Sequence, residues 1–108
     1  MDYPKALLIY SSIEKSTFQN LKSELIQAAI RYSRLRVDWQ LSDLEERKNL
    51  DNERTFAHNS FIDSCNILSR NMAKAGEDIS WREQLGNDRK SIGDFACYLT
   101  CILGIEAR

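Results

Sequence analysis

Residues 42–76 read SDLEERKNLDNERTFAHNSFIDSCNILSRNMAKAG, a stretch without proline and with glycine only at its last position. Ser42-Asp-Leu-Glu45 has the form of a capping box, in which a serine and a glutamate three residues on each satisfy a backbone N–H that a helix start leaves free. From there Leu50, Ala57, Phe61, Cys65, Leu68, Met72 and Ala75 recur at steps of three, four or seven, one apolar stripe on a helix. Gly76 supplies the left-handed residue on which helices commonly end. The spacing predicts a single helix from about Asp43 to Ala75. At 1.5 Å per residue it makes a rod of roughly 45–50 Å, longer than a domain of this size is wide. Such a rod either breaks near Asn49–Asn52 or projects and finds a partner.

The same logic extends in both directions. Ser16-Thr-Phe-Gln19 and Ser80-Trp-Arg-Glu83 are two further capping boxes, and Asp2 ahead of Tyr3-Pro4 is a weaker helix start. Phe18, Leu21, Leu25, Ala29, Tyr32, Leu35 and Trp39 form the core stripe of a helix before the rod. Ile26, Ile30 and Val37 lie beside it, so this helix should touch neighbours on two sides. Beyond Gly76 a short helix is expected from Trp81 to Leu85, stopped by Gly86, and a last one from Asp88 to Leu103, stopped by Gly104. The last helix has the core stripe Ile92, Phe95, Ala96, Leu99, Ile102 and Leu103, yet Cys97, Tyr98 and Cys101 on its other sides leave it apolar nearly all round, as a central or interfacial helix is. Tyr98, Cys101 and Ile105 would be exposed in a simple monomer. Only Ala6-Leu-Leu-Ile-Tyr10 would suit a strand, and it has no partner. The expected fold is all-α, a single domain over residues 1–108 built as an up-and-down bundle of four or five helices.

Composition bounds the function. Fifteen Lys plus Arg against sixteen Asp plus Glu leave a formal charge of −1, with no bulk pull toward nucleic acid or anionic lipid. No apolar run approaches the ~20 residues that a bilayer needs. The first residues lack the pattern of a signal peptide, and three cysteines are an odd number for a disulfide framework. These features imply a cytoplasmic protein with reduced thiols and no membrane contact.

Five constellations bear on chemistry. Three cysteines and one histidine are a zinc inventory, but Cys97 and Cys101 sit mid-helix beside Ala96 and Leu99 rather than in a tight turn. They read as small packing residues, and neither metal nor cofactor is expected. His58 lies at the edge of the core stripe; an enzyme would need it to meet Asp63 and Arg70 in one cleft, and no catalytic residue is assigned. Asn59, Asp63, Asn66 and Arg70 form a polar stripe opposite the core. Asn and Asp are poor choices for a merely solvated helix face, so this stripe is the candidate interaction surface. Finally, residues 80–99 have a helix-turn-helix outline with Arg89 and Lys90 opening the second helix. That helix buries Phe95 and Leu99, and Asp88 and Asp94 would repel phosphates, so nucleic acid is not the expected partner. Arg31, Arg34 and Arg36 do not converge on one helix face.

The segments Ala57-His58-Asn59, Cys65-Asn66-Ile67-Leu68-Ser69-Arg70 and Gly93-Asp94-Phe95-Ala96 resemble small bacterial helical proteins of unassigned activity. The resemblance implies a bacterial origin. With no nucleophile–base pair, phosphate loop or metal spacing, the sequence points to a non-enzymatic interaction module, in the manner of a small regulator or immunity protein. It is expected to form a homodimer through its last helix or its Asn59–Arg70 face and to act on an unidentified protein partner. A small DNA-binding regulator is the alternative.

Overall fold

The computed structural model describes residues 2–106, with side chains described for residues 2–103. It contains α1 (Tyr3–Ser11), a 3₁₀ turn at Ser16–Phe18, α2 (Gln19–Leu41), α3 (Leu44–Lys74), α4 (Ser80–Leu85) and α5 (Arg89–Glu106), and no strand among the described residues. The fold is all-α. Residues 6–10 are helical because Asp2 caps α1, its carboxylate accepting the Lys5 N–H at 2.9 Å.

The long rod does not break. α3 runs 31 residues through Asn49–Asn52 without interruption, and the molecule measures 47 × 29 × 25 Å, so one helix sets its longest dimension. The segment that was open to kinking is braced from α2. The Trp39 indole donates to Asp51 at 2.7 Å, and the guanidinium carbons of Arg47 and Arg54 each lie 4.4 Å from the Trp39 ring centroid. Cation–π contacts and a hydrogen bond over two turns hold the helix where nothing in its backbone would end it.

None of the capping-box serines caps its helix: α3 starts on Asp43, and α4 follows Ile79, which makes no side-chain cap. Asp43 accepts the Glu46 N–H at 2.9 Å, while Ser42 turns back to donate to the Asp38 carbonyl. Asp78 accepts the Ser80 N–H and Asp88 the Ser91 N–H and hydroxyl. At the first box no side chain caps, and Gln19 instead donates to the Ile13 and Lys15 carbonyls. A carboxylate is the stronger acceptor at the positive end of a helix, so it prevails where both are within reach.

α2 and α3 form an antiparallel hairpin across Ser42-Asp43. α5 runs antiparallel to α2: Asp94 meets Arg36 at one end, and Leu103 lines a groove with Lys22 and Ile26 at the other. α1 packs on α4, where Trp81 meets Tyr10 edge-on at 5.7 Å. Phe61, Leu68, Phe95 and Leu99 are fully buried, as the stripes predict, together with Trp81, Leu25 and Ile92. The apolar second side of α5 is covered within the chain at Tyr98 and left exposed at Cys101. Tyr3 stacks on Phe95 and Tyr98, and its hydroxyl donates to the Ser91 carbonyl at 3.1 Å. Tyr98 is therefore half-buried, not exposed, and the Ile105 side chain lies outside the described residues. α5 also continues through Gly104 instead of stopping there, since glycine in a helix costs only about 1 kcal/mol. The cysteines change places: Cys65 is the fully buried thiol, Cys97 is half-buried and Cys101 is exposed, so Cys101 is not a packing residue.

Candidate functional site

α2, α3 and the start of α5 enclose a cleft of about 540 Å³. Arg36 comes from α2, Arg54 and His58 from α3, Arg89 and Lys90 from the first turn of α5, with Tyr32 and Trp39 along the α2 wall. No carboxylate lines it. Arg36 is paired with Asp94 at 2.6 Å, whereas Arg54, Arg89 and Lys90 have no carboxylate partner among the described residues. The Arg54 Nε is buried without an acceptor.

The three walls meet because of Gly93. A Cβ at this position would lie 2.9 Å from the Tyr32 hydroxyl and 3.2 Å from His58 Nε2, inside contact distance. Glycine lets α5 close on the Tyr32–His58 stack, whose ring centroids are 4.7 Å apart. His58 Nε2 lies 2.8 Å from the Arg89 carbonyl, which can only accept, so the imidazole carries its proton there. Burial, chiefly, holds His58 below its ordinary value, and the charges of Arg89, Arg54 and Arg36 push the same way.

The expected site residues separate. His58, Arg89 and Lys90 share the cleft; Asp63 and Arg70 do not line it. Seven residues separate Asp63 from Arg70 and twelve separate His58 from Arg70 along one helix, the latter about 18 Å, so the three do not form a catalytic centre. The polar stripe also divides. Asn59 accepts from Arg89 at 2.5 Å and Asn66 from Arg82 Nε at 3.0 Å, which ties α5 and α4 to α3 within the chain, while Asp63 and Arg70 are exposed. The short polar side chains fix register, but against the chain's own arginines. In the helix-turn-helix outline Trp81 and Leu85 are fully buried, while Arg89 and Lys90 at the start of α5 are exposed, Arg89 with one N–H on Asn59.

On the opposite side of α2 lies an apolar face. Ile30, Val37 and Leu41 follow one another at steps of seven and four, beside a groove lined by Leu35, Arg31, Arg34 and Glu53. Leu41 is 82% exposed, Val37 48% and, across the groove on α3, Phe56 59%. Arg31 lies 5.3 Å over the Phe56 ring. α5 packs on one side of the α2–α3 hairpin, and the described chain leaves the other bare.

Sequence reasoning missed Tyr32, Arg36, Trp39, Arg54 and Gly93 as cleft residues. Gly93, inside an otherwise strong helix pattern, was the one available signal, because an interior helical glycine marks a close approach. Among the described residues no group of three or more His, Cys, Asp or Glu could hold a metal ion, and no helix is long and apolar enough to cross a membrane. The fold and site define an all-α bundle with one cationic cleft and one bare apolar face. No protein-family model, curated protein or solved structure matches the chain.

Proposed function

We propose that this chain is a non-enzymatic helical interaction module that forms a homodimer by packing the bare face of its α2–α3 hairpin on that of a second copy. The carrying observation is the exposure of Val37, Leu41 and Phe56 on one side of a hairpin whose other side is covered by α5. Two hairpins placed face to face make a four-helix bundle, the arrangement in which such stripes are normally buried. A two-fold contact must be self-complementary, and this face carries both signs, Arg31 and Arg34 on α2 and Glu53 on α3.

The magnitudes favour a weak dimer. Val37, Leu41 and Phe56 are 48%, 82% and 59% exposed, so burying what remains in both copies contributes roughly 6–11 kcal/mol at about 1.5–3 kcal/mol per fully buried side chain. Association costs about 4–15 kcal/mol. The contact expected from the sequence moves accordingly: Asn59 and Asn66 are engaged by Arg89 and Arg82, and Tyr3 covers Tyr98, so neither the polar stripe nor α5 offers as much free surface. Cytoplasmic, bacterial origin and a role as a small regulator are consistent with this reading and belong to the same proposal. Leu41→Glu and Val37→Glu tests it, because both side chains are exposed in the single chain. The double variant should keep its helical circular dichroism and melting temperature in dilute solution and lose the dimer. A double variant that associates as the parent does would remove the face from consideration.

A further inference from the structure

The geometry points to a second site: the cleft between α2, α3 and α5 binds a small molecule bearing a phosphoryl or pyrophosphoryl group, held by Arg54, Arg89 and Lys90. In a chain of net charge −1, four cationic side chains and the only histidine line one cleft, and no carboxylate does. Asp94 neutralises Arg36 alone. Random placement of nearly equal numbers of acids and bases would interleave them. Here three helices bring four cations to one cleft, where Asp94 answers Arg36 and Asp51 takes the Trp39 indole at the edge, and a bound anion would relieve the repulsion among Arg54, Arg89 and Lys90. Arg54 also keeps a buried Nε without an acceptor while its guanidinium rests on the Trp39 ring, so it has hydrogen-bonding capacity to spare.

The chemistry narrows the ligand. Guanidinium groups match the oxygens of a phosphoryl group with parallel hydrogen bonds, and Lys90 supplies a point charge. At the start of α5 the Ser91 N–H is already taken by Asp88, so the assignment rests on the side chains. Trp39 is flanked by Arg47 and Arg54, so it offers no open platform for a base, and selection is by charge rather than by stacking. A volume of about 540 Å³ lies within the range of small-molecule sites. Arg89 and Lys90 stand exposed at the mouth of the cleft and Arg54 within it, a single cluster, whereas a duplex needs cations spread along a surface to follow its phosphates. The site is independent of the proposed dimer: Tyr32, Arg36 and Trp39 stand on the side of α2 opposite Ile30, Val37 and Leu41.

Pyrophosphate titrated into the 15N-labelled full chain at constant ionic strength tests the assignment. Saturable shifts confined to residues around the cleft are expected, together with a rise in the pKa of His58, whose ring signals are unique in this sequence. Lys90→Ala, at an exposed position, should weaken binding about tenfold, as should Arg54→Gln. Lys74→Ala, in the last turn of α3, should change nothing. Unsaturable or scattered shifts, or equal affinities for Lys90→Ala and Lys74→Ala, would overturn the site. Tighter binding of a DNA duplex to the same residues would overturn the small-molecule assignment in favour of nucleic acid.

Discussion

Gly93 is the residue on which the cleft geometry depends. Alanine there gains about 1 kcal/mol of helix propensity but places a methyl group 2.9 Å from the hydroxyl of Tyr32, a buried ring stacked on His58 that must shift to admit it. Overpacking of this kind costs about 1–3 kcal/mol. Gly93→Ala should therefore lower stability by about 1 kcal/mol in urea unfolding, the reverse of its effect in a solvated helix. The single histidine gives a pH signature. Its folded-state pKa lies below the ordinary 6.5, so the unfolded chain takes up the proton first. Stability is complete above that value and declines as pH falls through it toward the folded pKa. His58→Gln should flatten the decline, measured as urea midpoints between pH 7 and 5. Thiol chemistry divides the cysteines. Burial pushes the Cys65 thiol up to about 12, whereas Cys101 is exposed. A disulfide reagent should modify Cys101 in the native protein and Cys65 only on unfolding; rapid native labelling of Cys65 would contradict the packing.

At the scale of elements, the stripes of α2, α3 and α5 were legible because burial follows a 3.6-residue period that any sequence displays. The positions of Phe61, Leu68, Phe95 and Leu99 follow from it directly. Cap identity was less legible, since Ser42 and Asp43 offer competing acceptors one residue apart and only geometry decides between them. The cleft was the least legible part. Arg36, Arg54 and Arg89 stand on three helices, and their convergence depends on how α5 lies across the hairpin, which periodicity does not specify. Pairs such as Arg36–Asp94 and Asn66–Arg82 link residues 58 and 16 apart in sequence with no local spacing to announce them. Trp81 tests the packing of α4. It is fully buried with its indole N–H unpaired, so Trp81→Phe removes an unsatisfied donor while keeping most of the contact. Its melting temperature should stay near the parent's, whereas Trp81→Ala should cost about 3–5 kcal/mol.

For the whole molecule, α3 spans the full length and carries two different surfaces with it. One side of the hairpin closes on α5 and forms the cationic cleft; the other keeps Val37, Leu41 and Phe56 in water. The sequence posed this as a choice between a broken rod and a projecting one. The unbroken α3, braced by Trp39, leaves a projecting hairpin, and self-association is the reading that covers its bare face. Light scattering across a hundredfold dilution is the most direct measurement. The account predicts a mass near twice 12.5 kDa at high concentration, falling toward 12.5 kDa on dilution, with Leu41→Glu shifting the transition to higher concentration. A mass of 12.5 kDa at every concentration would contradict it.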